Sequence, residues 1–158
     1  MRATRRIPRS RHRWQFRRGA HAADAERTSG ACLGQERHAR LLFEHCRYWN
    51  SYYLYGYAIE ITLKACISKQ FSAEIIPDRK AVQQVFTHKI IDLVSLAGLK
   101  VQLEKERQNQ AFDSHWKEIE LWSEESRYVM IDPNRAYAMH EAVQDEVNGA
   151  FQWITKHW

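Results

Sequence analysis

The sequence predicts an all-α protein, an up-and-down bundle of four to five helices. Three observations carry that expectation. Apolar residues recur at helical spacing in several long segments, while no segment alternates as a half-buried strand does. Six glycines and three prolines in 158 residues are too few for the many tight turns of an all-β fold. Helix start and stop signals stand at the edges of the periodic segments, most plainly Asp132-Pro133 and Gly98.

Residues 1–32 read as a disordered, arginine-rich extension, and residues 33–158 as the helical domain. The net charge of +5 has to be divided accordingly. Residues 1–30 hold nine arginines against Asp24 and Glu26, and the remaining chain holds fifteen Lys/Arg against seventeen Asp/Glu. The basic excess therefore belongs to the extension, and the domain itself is slightly acidic. A nucleic-acid-binding arm, a targeting peptide and an extension without a role all fit such a segment. It lacks the apolar core of a secretory signal.

The first amphipathic helix is expected near 35–49, from Leu41, Leu42, His45, Cys46 and Trp49, with a break at Asn50-Ser51. Residues 51–70 carry two apolar stripes, one on Leu54, Ala58, Ile61 and Ala65, the other on Tyr55, Ile59, Leu63 and Cys66. A helix apolar on more than one face belongs at the centre of a bundle. Gly56 inside it fits a close approach of a neighbouring backbone, and Glu60 and Lys64 stand at i, i+4. Residues 71–86 read as a loop around Pro77 with a short helix from Arg79 to Phe86. Thr87 is the expected N-cap of the next helix, and Gly98 its C′ residue. Residues 101–122 read as one largely exposed helix on Leu103, Phe112, Trp116, Ile119 and Trp122. Residues 123–131 read as irregular. Asp132 as N-cap and Pro133 at N1 open the last helix, expected to run to Lys156 on Ala136, Met139, Val143, Val147, Ala150 and Ile154.

Several function classes find no support in these residues. No run of about 18 apolar residues could span a membrane. Cys32, Cys46 and Cys66 form no C-x-x-C pair and no zinc spacing, so neither a disulfide framework nor a metal site is expected, and a cytoplasmic location is. There is no glycine-rich phosphate loop, no G-x-S-x-G and no H-E-x-x-H. No cofactor is expected.

Four segments together resemble the HEPN-domain family. GYAIEITLKACI (56–67) is similar to the family's central helix, with Glu60, Leu63, Lys64 and Ala65 in its E-x-x-L-K-A pattern. THKIIDLVSLAG (87–98) is similar to its T-H-x-L/I-x-x-L helix. Glu125-Ser126-Arg127-Tyr128 resembles the S-R-Y before its last helix, and Ala142, Val147, Trp153 and Ile154 resemble its closing helix. The resemblance covers about residues 35–157 and implies a helical bundle, often dimeric, of prokaryotic toxin–antitoxin or phage-defence systems.

Many members of that family are metal-independent ribonucleases with an arginine and a following histidine separated by four to six residues. Arg135 and His140 have this form, as do Arg5/His12, Arg6/His12 and Arg40/His45, but Arg135/His140 alone stands at the start of a late helix. The resemblance implies that Arg135 stabilises charge on the phosphorane and that His140 is the general acid or base for attack by an RNA 2′-hydroxyl. Arg127 reads either as a phosphate contact of the RNA or as an anchor of the loop before the last helix, with Tyr128 packed into the bundle. Glu60 reads either as a carboxylate at the cleft of a dimer or as the partner of Lys64 or an arginine. Where the family has a polar residue after the arginine, this chain has Ala136. Five positions along a helix turn the two side chains about 140° apart, so the resemblance implies a homodimer in which two motifs meet. The contrasting expectation is a non-catalytic helical module that binds RNA or a separate nucleotidyltransferase-type antitoxin partner.

Overall fold

A computed structural model describes residues 19–70 and 79–157, and among them the fold is all-α. Eight α-helices follow in order: α1 (Gly19–Glu44), α2 (Tyr48–Gln70), α3 (Arg79–Gln84), α4 (Ile90–Leu96), α5 (Lys100–Glu106), α6 (Gln110–Glu120), α7 (Pro133–Gln144) and α8 (Ala150–Thr155). A 3-10 turn, Glu124–Tyr128, precedes α7. No helix among the described residues is long and apolar enough to cross a membrane.

The contacts between helices fix their directions. Ser51 Oγ donates to the Ala39 carbonyl, as an antiparallel α1–α2 pair requires. Tyr52 meets Arg135, Tyr55 meets His140 and Cys66 meets Ile154, so α2 runs parallel to α7 and α8. Glu118 meets Arg135 while Asn109 meets Asn148, which makes α6 antiparallel to α7. The α1–α2 and α6–α7 pairs are therefore antiparallel, while α2 and α7 lie parallel, and α2 packs against α1, α4, α7 and α8. Tyr52, Tyr55, Ile59 and Leu63 of α2 are fully buried beside Leu93, Met139 and Ile154. Phe112, Trp116 and Trp153 form an aromatic cluster with ring centroids 5.5–5.9 Å apart. The Trp122 ring lies directly on Gly56, in the space that any Cβ there would need. The close approach at Gly56 is that of an indole side chain, not of the neighbouring backbone expected there.

Several boundaries differ from the sequence expectations. Helix α1 begins at Gly19 and passes through position 32 unbroken, with Cys32 fully buried; the alanines at 20, 22, 23 and 25 favour helix over coil. The part of the arginine-rich segment at 1–18 lies outside the described residues, as does the loop around Pro77. The first break falls at Cys46, not at Asn50-Ser51. Cys46 takes the left-handed conformation (φ 57°), its N–H donates to the Phe43 carbonyl, and the Arg47 N–H donates to that of Leu42. Gly98 (φ 69°) closes α4 in the same way, with bonds from Gly98 to Ser95 and from Leu99 to Val94.

Thr87 accepts from the Lys89 N–H in a turn ahead of α4, so it does not cap the helix itself. The expected helix over 101–122 is divided at Arg107–Asn109, where the Asn109 side chain caps α6. Arg107 ties the two halves together by pairing with Asp113 at 2.6 Å and Glu120 at 2.9 Å. The last helix starts as expected, with Asp132 accepting from the Asn134 N–H, but it breaks after Gln144. There the Asp145 carboxylate accepts from the Val147 and Asn148 N–H groups. Val147, expected in the core, is 79% exposed on that turn.

Candidate functional site

Helix α7 carries both residues of the Arg135/His140 pair, and α2 supplies the partner of each. The Arg135 guanidinium donates through Nη2 to the Tyr52 hydroxyl at 2.8 Å and lies over that ring, 5.2 Å from its centroid. On its other side it faces Glu118 of α6 at 3.6 Å, a charge pair longer than a hydrogen bond. Burial pushes the Glu118 carboxyl above its usual range, and Arg135 acts against that shift.

His140 occupies a different environment. Its Nδ1 lies 2.7 Å from the Tyr55 hydroxyl, and its ring stacks on Phe43 of α1 with centroids 4.0 Å apart and planes 5° from parallel. Phe43 also meets Tyr137 edge-on, and the Tyr137 and Tyr48 hydroxyls share a hydrogen bond of 3.0 Å. The imidazole is half-buried, and its Nε2 has no hydrogen-bond partner among the described residues. Burial holds the His140 pKa below its ordinary value; the Glu141 and Glu44 carboxylates oppose that shift and Arg40 adds to it. The single chain therefore does not bring Arg135 and His140 together. One faces α6, the other α1, as the angle between positions five residues apart requires.

Glu60 is 2% exposed and belongs to a third arrangement. Its Oε1 accepts from Lys64 Nζ at 2.7 Å and from His88 Nδ1 at 2.9 Å. The pair with Lys64 is the one its spacing predicts. Its partner His88 makes it a clasp on the start of α4, inside the core and not at an open cleft of the protomer. Arg127 is exposed, with its guanidinium 4.8 Å from the Tyr128 ring centroid. It shares a groove of about 280 Å3 with Leu42, Trp49, Asn50, Tyr53 and Leu54. Trp49 Nε1 donates to the Ser126 carbonyl and fixes this turn on α2. Among the described residues, no three His, Cys, Asp or Glu side chains are gathered as metal ligands.

Sequence reasoning misses Tyr52, Tyr55, Phe43 and Glu118 as members of the site. The run Tyr52, Tyr53, Tyr55 and Tyr57, which reads from sequence either as a base-stacking surface or as core and interface packing, was the available signal, because Tyr52 and Tyr55 are three apart on one helical face. No protein-family model, curated protein or solved structure matches this chain.

Proposed function

We propose that the chain is a HEPN-type helical protein that cleaves RNA as a homodimer without a metal ion, in the cytoplasm, as part of a toxin–antitoxin or phage-defence system. One observation supports this above the others. His140 is held on two sides, by Tyr55 and Phe43, and its remaining ring nitrogen has no partner among the described residues at a half-exposed position. An orienting residue behind an accessible imidazole is the arrangement that phosphodiester chemistry needs. Arg135 supplies the cation for charge on the phosphorane, since its bond to Tyr52 leaves its other guanidinium nitrogens free to donate and its side chain is 43% exposed. Arg127, beside Trp49 and Tyr53, offers a cation next to stacking surfaces for a second part of the RNA.

The test is cleavage of RNA by the purified protein in excess chelator, side by side with His140→Ala. Cleavage by the wild type that is lost in the variant supports the proposal. Undiminished cleavage by the variant sinks it.

A second reading is favoured by the engagement of Arg135 with Tyr52 and Glu118 and by the exposed run Tyr128, Val129 and Met130, which are 74%, 54% and 83% exposed. In that reading the chain is a non-catalytic module that binds a separate nucleotidyltransferase-type partner. No cleavage by wild type or variant, together with a stable complex with such a partner, would favour it.

A further inference from the structure

The hydrogen bond between Tyr55 and His140 has a direction that donor and acceptor counting decides. Tyr55 is fully buried, and among the described residues its hydroxyl has a single partner, His140 Nδ1. If the imidazole donated, the phenolic proton would be left buried without an acceptor, at the full cost of its desolvation. If Tyr55 donates, both groups are satisfied. Nδ1 is then the acceptor and the proton of the neutral ring sits on Nε2. Because Nδ1 faces Tyr55 of α2, Nε2–H on the other side of the ring is directed away from α2.

We infer that Tyr55 is the positioning residue of His140: by donating to Nδ1 it fixes the Nε2–H tautomer and makes His140 a neutral hydrogen-bond donor to a phosphoryl oxygen, not a proton-transfer group. The inference rests on the ribonuclease reading for its substrate, but not for the tautomer. In the reaction, the RNA 2′-oxygen bonds to phosphorus as the bond from phosphorus to the 5′-oxygen breaks. The 2′-hydroxyl proton passes to solvent, and the 5′-oxygen takes one from solvent. His140 neither loses nor gains a proton. Its Nε2–H donates to a non-bridging oxygen, where negative charge grows in the transition state.

The surroundings agree with a neutral ring. Burial lowers the His140 pKa, and burial also pushes the Tyr55 phenol well above its usual value, so the phenol keeps the proton it donates. The charged groups that bear on the pair are Glu36, Arg40 and Glu44 from α1 and Glu141 from α7.

The test has a spectroscopic and a kinetic arm on the full chain. Long-range proton–nitrogen correlation of the histidine rings above neutral pH should show His140 Nδ1 as the unprotonated nitrogen and Nε2 as the protonated one. In Tyr55→Phe both signals should move towards tautomer-averaged positions. A wild-type ring protonated on Nδ1, or a spectrum unchanged in Tyr55→Phe, overturns the inference. In the kinetic arm, His140→Gln retains an amide donor close to Nε2 but cannot shuttle a proton. Its rate should stay within about tenfold of wild type, while His140→Ala loses roughly 100-fold, as removal of a transition-state donor does. Equal losses in both variants overturn the donor role. If the wild type cleaves no RNA, the ribonuclease reading fails, and the spectrum still decides whether Tyr55 fixes the ring.

Discussion

Two histidines are pinned to α2, five positions apart, and their partners leave them chemically opposite. Tyr55 holds His140 by a hydroxyl, and Glu60 holds His88 by a carboxylate. The carboxylate can only accept, so His88 donates Nδ1–H, and in a neutral ring Nε2 is then the acceptor. The hydroxyl donates, so His140 presents Nε2–H. The surroundings differ as well. Glu60 contacts Lys64 directly, whereas His140 touches a hydroxyl and an aromatic ring, with the charges of Glu44, Arg40 and Glu141 acting on it from outside that contact shell. The partner behind an imidazole, more than the imidazole itself, sets what its outer nitrogen offers.

The comparison can be broken most sharply by activity. His140→Ala should reduce RNA cleavage at least roughly 100-fold and His88→Ala less than about threefold, by turnover assay. A reversed order would move the site to α4. Stability should show the opposite ranking. Glu60→Ala strands Lys64 and His88, but their side chains are 26% and 46% exposed and can reach water. The loss should therefore be about 2 kcal/mol in urea unfolding, below the usual range for a buried pair. Tyr55→Phe should cost about 1 kcal/mol. A smaller loss for Glu60→Ala than for Tyr55→Phe would contradict the clasp.

Acid should separate the two regions further. The folded-state pKa of His140 is depressed, so the folded protein prefers the neutral ring. That preference costs nothing above the ordinary value near 6.5, and stability falls as the pH drops below it towards the depressed value. In His140→Gln the stability–pH curve should be flatter in that window, as read by urea midpoints at successive pH values. An unchanged slope would assign the acid sensitivity elsewhere.

The smallest expected effect concerns the turn that leads into α2. Cys46 pays the left-handed cost that Gly98 avoids in an identical hydrogen-bond pattern. Cys46→Gly should stabilise by up to about 1 kcal/mol, seen as a higher urea midpoint; a lower midpoint would show that the thiol contributes more than the strain costs.

The same two turns show what a sequence discloses. Gly98 announces its helix end because the left-handed conformation selects glycine, whereas Cys46 is stabilised there by the packing of α1 on α2, which no local pattern records. Asp132-Pro133 was legible for the same local reason. The breaks at Asn109 and Asp145 were not, although both residues are cap formers, because the apolar periodicity continues across them. In the site, Arg135 and His140 stood out among four pairs of that spacing only by their place at the start of a late helix, and Glu60 by its i, i+4 lysine. Their decisive neighbours did not, since Tyr52 and Tyr55 lie 83 and 85 residues away from the groups they hold.

Gly56 sits between the two pinning positions, under the Trp122 ring. A residue inserted anywhere between Tyr55 and Glu60 would turn the rest of α2 by about 100° and advance it about 1.5 Å. Tyr55 and Glu60 could then no longer reach His140 and His88 at once, and the indole would lose its seat. This stretch of α2 works as a gauge of fixed length: descendants of this chain can exchange side chains along it, but insertions and deletions there should be absent from any lineage that keeps both histidines in place.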